Sequence, residues 1–351
     1  MKVTFNLQGT GAANNGGTAT LFHTANVLHK LGHKVFVVSD KLNYFTWFDL
    51  KGPEYIKCGT PEYPDADILL ATGVSSIKHV LRAKDSKGVK HWWVRAHETW
   101  IADENYIFGC YKNRSLNIMV NSLCLQMFLK KKMGKTFPIV RPGTDVDFFK
   151  EVKPRKWIDK KSWVLGALYN EKPRKRFKWV PEIYMGLKEL GVKCRLHLFG
   201  DSERPKKIVE HSKYLQQPSP EDLLKFYNGV DLWLAPTKSE GLHMPPQEAM
   251  LCGAVLFGAN ETLSGMVDYL DDNKTGIVVK DWPDAVQKIA DLVATDDGRL
   301  MLEYMSGNGR KRIVEMGDRR FNVKKMVAIF QSGLSGHHSK MRALLSRGIR
   351  V

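Results

Sequence analysis

The residues best placed to do chemistry lie in one stretch, A-P-T-K-S-E-G-L-H-M-P-P-Q-E-A-M-L-C-G from Ala235 to Gly253, which holds two carboxylates, Glu240 and Glu248, separated by seven residues. The apolar run before it, Val230 to Leu234, reads as a buried strand. Proline is favoured at the first helical position because its missing N–H would be unpaired there, so a short helix is expected to begin at Pro246. Such a helix offers unpaired N–H groups and the positive end of its dipole to an anion such as a phosphate. Glu248 then falls in the first turns of the helix and Glu240 on the loop before it. One carboxylate can bind hydroxyls at one end of a ligand while the other reaches its middle. Two surface acids flanking a turn would be the plainer reading of the same pair.

The setting says more than the pair. P-T-x-x-E-G-x-x-x-P-x-x-E-A-M-x-C-G, Pro236 to Gly253, resembles the signature of the retaining GT-B glycosyltransferases, the large group 1, family 4-like set that includes phosphatidylinositol mannosyltransferases and sucrose synthases. The resemblance implies an α/β chain of two doubly wound, Rossmann-like domains facing across a cleft. It implies that Glu248 binds the ribose of a sugar nucleotide and that Glu240 sits beside the donor sugar. The loop amides of Gly241, Leu242, His243 and Met244 would hold sugar and phosphate.

The elements that must position these groups can be read along the chain. Val3–Leu7 reads as a strand, Gln8–Gly17 as a glycine-rich loop, Thr18–Leu31 as a helix and the following L-G-H-K-V-F-V-V-S-D as a second strand, a βαβ unit that makes a parallel sheet the default. Gly16 and Gly17 match the family's paired glycines at the cleft floor; a dinucleotide fingerprint is the weaker reading, because the spacing at the helix start and a ribose-binding acid are both missing. Further strands are expected at Ile68–Leu70, His91–Val94, Asn117–Val120 and Ile139–Val140. Ligands of open α/β sheets bind beyond the carboxyl ends of the strands, so the loop R-A-H-E-T-W after His91–Val94 is well placed. His97 in that loop corresponds to the histidine the family places near the donor sugar, although a lone loop histidine is more often structural. Tyr44, Phe45, Trp47 and Phe48 form an aromatic cluster that, if exposed, could stack on sugars or bases or enter a membrane interface; Trp92, Trp93 and Trp100 bracket His97.

R-P-G-T-D-V-D-F-F resembles the segment that ends the family's N-terminal domain, which argues against a metal at Asp145 and Asp147; Asp65 and Asp67 likewise show no third ligand. No metal and no cofactor are expected. A basic linker leads to Trp163–Leu168, the first strand of the second domain, and then to Y-N-E-K-P-R-K-R-F-K-W. By resemblance Lys175 binds the donor diphosphate. Ala167 stands where the family has an arginine, so Lys172, Arg174 or Arg176 must supply that charge, Arg174 being the residue taken as donor-binding here. Arg195–Gly200 is a further strand, and Ser219-Pro220-Glu221 caps the start of a helix. L-S-G-M-V-D resembles the family's closing pattern, with Asp268 where glutamate is usual. The expected division is residues 1–150, an acceptor-side domain; 151–320, the nucleotide-sugar-binding domain; and 321–351, a helix returning to the first domain plus a basic tail that serves as a surface-binding or disordered arm.

Composition bounds the function. The 351 residues are 43% hydrophobic and 26% charged, enough for two cores, and no apolar run approaches the ~18 residues of a membrane span. With an N-terminus that reads as strand and turn, the chain is expected to be cytoplasmic, peripheral at most on the membrane inner face. Five scattered cysteines suggest neither disulfide framework nor zinc site. The net charge of +17 is concentrated: residues 151–200 hold 13 basic and 5 acidic side chains and residues 301–351 hold 11 and 3, against 4 and 9 in residues 251–300. Such clusters, with the Lys130–Lys132 run, favour a polyanionic partner. The expected activity is retaining transfer from a UDP- or GDP-sugar to a glycan or lipid-linked glycan at an anionic membrane surface. The alternatives are a DNA glycosyltransferase acting on hydroxymethylated bases, with nucleic acid as partner, and an inactive nucleotide-sugar-binding protein.

Overall fold

The computed structural model describes the chain except residues 41–46, 58–63, 205–211, 260, 262 and 347–351, and for residues 338–346 only the course of the helix. The aromatic pair Tyr44 and Phe45, and Cys58, lie outside the described residues. The chain divides into two compact units, Met1–Gly143 with the segment from Arg319 onward, and Thr144–Asp318.

The first unit is built from β1 (Lys2–Asn6), α1 (Gly16–Lys30), β2 (Lys34–Ser39), β3 (Glu54–Lys57), β4 (Ile68–Ala71), α2 (Val74–Arg82), β5 (Val89–Val94), α3 (Glu104–Lys112), β6 (Asn117–Val120) and α4 (Leu123–Met133). Its six strands pair in parallel in the order β3-β2-β1-β4-β5-β6. Parallel strands covered on both faces read as continuous apolar runs, and alternate residues serve opposite layers. In β4, Leu69 and Ala71 join one core while Ile68 and Leu70 join the other. Trp92 and Trp93 divide the same way and are both buried, whereas Trp100 is exposed. Trp47 and Phe48 pack against the core beside Phe22, Trp47 stacking on it at 5.7 Å, so these two are packing residues and not the exposed platform the cluster suggested. Ile139 makes a single bridge to Val120 and no strand; Pro138 and Pro142 flank it, and proline cannot donate to a ladder.

The second unit follows with β7 (Trp163–Leu168), α5 (Trp179–Glu189), β8 (Cys194–Gly200), β9 (Lys213–Gln216), α6 (Pro220–Asn228), β10 (Leu232–Ala235), β11 (Ser239–Glu240), α7 (Met244–Leu251), β12 (Val255–Gly258), β13 (Leu263–Ser264), β14 (Gly276–Val278), α8 (Trp282–Ala294) and α9 (Asp296–Glu315). Its main sheet is again parallel and six-stranded, in the order β14-β12-β10-β7-β8-β9. Numbered within each unit, both sheets run 3-2-1-4-5-6, the doubly wound order in which ligands bind where the winding reverses. That switch point lies between β1 and β4 in the first unit and between β7 and β10 in the second.

The last helix, α10 (Arg319–Ser346), belongs to the first unit. Val323, Met326 and Phe330 are buried in its core, and Leu334 packs against it. A Cβ at Gly333 would stand 2.8 Å from His91 Nε2, so glycine lets the helix lie on that imidazole. The segment expected to be a surface-binding or disordered arm continues α10 as helix through Ser346, with Leu334 packed against the core.

Candidate functional site

At the switch point of the second unit, the loop after β10 carries Glu240 and the turn after β7 carries Arg174 and Lys175. Local geometry fixes both. Lys175 closes a short 3-10 turn, Pro173–Lys175, and the carbonyl of Arg174 accepts the Lys238 amide at 2.8 Å. Glu240 lies on β11, which pairs in parallel with β13, and a Cβ at Gly265 would fall 2.1 Å from the Gly241 carbonyl oxygen. Contact that close requires glycine at 265 and presses the Gly241-Leu242 segment against the backbone beneath it.

Lys175 Nζ forms an ion pair with Glu240 Oε1, and Arg174 Nη1 lies 3.8 Å from the same oxygen. Burial pushes the Glu240 carboxyl up, but Lys175 above all, with Arg174, outweighs it and holds the group below the usual range. Glu240 is thus an anion at neutral pH. The His243 imidazole beside it is lowered to about 3, first by burial and then by Lys175, and is neutral. Arg176 pairs instead with Glu261 at 2.6 Å, so of the basic residues after β7 the structure brings Arg174 and Lys175 to Glu240.

The helix expected from Pro246 begins two residues earlier, at Met244, with His243 as N-cap. Pro245 and Pro246 are its second and third residues and carry no N–H, so its first turn offers fewer amides to an anion than the sequence suggested. Glu248 projects from α7 and accepts a hydrogen bond from the buried Tyr227 hydroxyl at 2.8 Å through Oε2. Tyr269 donates to the His243 carbonyl at 2.9 Å, tying the loop down from below. Neither tyrosine announces itself in the sequence, since each is one of many aromatic core positions.

In the first unit, Gly16 and Gly17 are not loop residues but the first turn of α1, which Asn15 caps by accepting from the Thr18 amide at 2.9 Å. A Cβ at Gly16 would meet nothing within 4 Å, whereas at Gly17 it would lie 3.3 Å from Arg95 Nη1. Arg95 donates to the Gly17 carbonyl at 2.5 Å and to the Thr72 carbonyl at 2.7 Å, joining the first turn of α1 to the ends of β4 and β5. Its place two residues before His97 was the available signal for it. Glu98 accepts from the Val74 amide at 2.6 Å, a carboxylate on the N-terminus of α2. His97 itself is 6% exposed, with Nδ1 3.3 Å from the Tyr111 hydroxyl, Nε2 3.3 Å from Glu104 Oε1, and the Phe108 and Phe128 rings at 5.5 and 4.8 Å.

The D-x-D carboxylates have local duties. Asp145 accepts from the Phe148 amide at 3.1 Å, Asp65 pairs with Lys87 at 2.9 Å, and Asp67 accepts from the Lys2 amide at 2.7 Å. The cysteines Cys110, Cys124, Cys194 and Cys252 are free thiols. Among the described residues no helix is long and apolar enough to cross a membrane.

Residues 160–295 match the family model described as glycosyl transferases group 1. No curated protein sequence matches the chain. Among solved structures, a glycosyltransferase from Rickettsia africae superposes with a TM-score of 0.75 at 14% identity, covering 95% of this chain and 98% of its own. HepE of Anabaena, in complex with UDP and glucose, gives 0.74 at 13% identity over 95% and 100% of the two chains. Sucrose-phosphate synthase of Thermosynechococcus elongatus gives 0.73 at 12% over 95% and 99%. At these identities the likeness is one of fold. Residues 160–295 are thus similar to the glycosyl transferases group 1 family, in a chain whose two-unit α/β fold is that of these GT-B glycosyltransferase structures.

Proposed function

We propose that the chain is a retaining glycosyltransferase that moves a sugar from a nucleoside diphosphate sugar to an acceptor hydroxyl. The observation that carries this is the gathering of Arg174, Lys175, anionic Glu240 and the α7 N-terminus at the switch point of the second sheet. In the reaction the bond from the anomeric carbon to the diphosphate oxygen breaks, its electron pair leaving with the diphosphate. The acceptor oxygen bonds to that carbon from the same side, and its proton passes to the departing diphosphate. Lys175 and Arg174 stabilise the charge that builds on the leaving group. Glu240 stabilises the positive charge that builds on the sugar. Glu248, oriented by Tyr227, binds the ribose, and His97 in the first unit serves the reacting sugar. The chain's own cations and amides carry the diphosphate in this reading, without a metal.

HepE, whose structure holds UDP and glucose, supports UDP-glucose as the first donor to assay. The decisive experiment is incubation with UDP- and GDP-sugars with and without acceptor, followed by NMR of the product's anomeric proton. Retained configuration is expected, and an inverted product would overturn the mechanism.

For the acceptor, we favour a glycan or lipid-linked glycan at an anionic membrane surface. Lys130, Lys131 and Lys132 are exposed in the last turn of α4, Met127 on the same helix is 56% exposed, and Trp100, Ile101 and Tyr106 are exposed near α3. Lysines near such a surface contribute about 1 kcal/mol each. Sedimentation with anionic vesicles, beside a duplex-DNA shift assay at ~150 mM salt, separates the readings. Binding to vesicles is expected. Transfer to hydroxymethylated DNA with indifference to vesicles would establish the DNA alternative instead.

A further inference from the structure

The residue at the start of α7 is chemically out of place. His243 adopts φ +58°, the left-handed region that glycine and asparagine enter at least cost. Its backbone carbonyl serves Tyr269 and Gln247, a duty glycine would perform equally. Its side chain is only 8% exposed, yet Nδ1 has no hydrogen-bond partner among the described residues.

The prolines explain why that nitrogen is orphaned. An N-cap side chain normally bonds to the amide of the second or third helical residue. Here those residues are Pro245 and Pro246, which have no N–H, and His243 makes no capping bond. The same prolines remove two of the amides that a helix start would turn toward an anion. Strained backbone and an unsatisfied buried polar atom each cost free energy, and they persist together where a ligand offsets them. The groups around the imidazole are Lys175, Arg174 and Glu240. Two cations and a helix N-terminus favour an anionic oxygen, while Glu240 disfavours one on its own side. A neutral imidazole has one N–H to donate, and at this position it stands in for an amide the prolines took away.

We propose that the His243 side chain is a direct ligand of the nucleoside diphosphate, donating a hydrogen bond from Nδ1 to a phosphoryl oxygen; this rests on the donor reading of the site given above.

The test is calorimetric titration of the full chain with UDP, GDP and ADP and with uridine, guanosine and adenosine. His243→Gly removes the imidazole and the backbone strain together, so the variant should fold with an undiminished melting temperature. Its affinity for the nucleotide that the wild type binds should fall about tenfold or more, as expected for a hydrogen bond to a charged group. Affinity for the matching nucleoside should be unchanged. His243→Asn tolerates the left-handed backbone, offers an amide donor, and should recover part of the loss. Wild-type nucleotide affinity in His243→Gly overturns the proposal, as does an equal loss for nucleoside and nucleotide, which would signal a disturbed loop. A wild-type chain that binds none of the nucleotides overturns the donor reading as well.

Discussion

The two units share one winding order but equip its switch point differently. In the second, Lys175, Arg174 and Glu240 are mutually charged, and a neutral histidine sits beside them. In the first, Arg95 is committed to two backbone carbonyls, Glu98 to a helix N-terminus, and His97 to a cage of Tyr111, Phe108 and Phe128. A doubly wound sheet supplies a place for a ligand and not the chemistry done there. The second unit gathers its charges around one carboxylate, while the first spends its charged groups on its own backbone.

That contrast can be broken by substitution. The largest effect should come from Glu240→Ala, which removes the anion that stabilises the cationic sugar and should lower kcat on the order of a hundredfold or more. Donor affinity should change much less, and a variant with wild-type turnover would remove Glu240 from the mechanism. His97→Ala should cut turnover to a similar degree while leaving the donor Kd of the second unit intact. Circular dichroism is needed beside it, because emptying the aromatic cage also costs stability. Should donor affinity collapse with folding preserved, the proposed division of labour between the units would be wrong.

A smaller change is expected at Glu248 and its partner. Glu248→Ala removes ribose contacts made in ground and transition states alike, so donor KM should rise with kcat nearly kept. Tyr227→Phe deletes the 2.8 Å hydrogen bond alone and should raise KM by a few-fold, on the scale of one hydrogen bond. Steady-state kinetics in donor show which parameter moves; a fall in kcat at constant KM would mean that Glu248 acts elsewhere.

The smallest effects concern pH. Each unit buries a neutral histidine, His91 lowered to about 4 and His243 to about 3, in both cases first by burial. The unfolded chain protonates these groups near pH 6.5 and the folded chain does not, so their contribution is complete above that pH. It is lost as pH falls from 6.5 toward 4 and 3, with a slope of at most about 1.4 kcal/mol per pH unit for each histidine. Denaturant titrations at several pH values should show this slope flattened in His91→Leu and in His243→Gly. An unchanged slope would mean that these imidazoles are already charged in the folded chain.

Much of the fold was legible because local signals agreed with burial. Asn117–Val120 and Trp163–Leu168 became strands with the expected bounds, and Ser219 caps the helix it was expected to cap. The short edge strands Glu54–Lys57 and Lys213–Gln216 escaped notice because they are only half-buried and carry polar ends. At the site, the family resemblance singled out Glu240, Glu248 and Lys175; the structure pairs Lys175 with Glu240 and sets Glu248 against Tyr227. The start of α7 was misplaced because proline is welcome anywhere in a first turn, and only the backbone of His243 shows which residue begins it. Tyr227 and Gly265 were invisible for another reason: their roles depend on what lies opposite them in space.

The central claim is transfer of a sugar by the charged cluster of the second unit. The most direct measurement is release of free nucleoside diphosphate from a nucleotide sugar by the full chain, with and without acceptor, in the wild type and in Glu240→Ala. The account predicts release that depends on acceptor, matches glycosylated product one for one, and nearly vanishes in the variant. Release that ignores the acceptor, or that persists unchanged in Glu240→Ala, would contradict it.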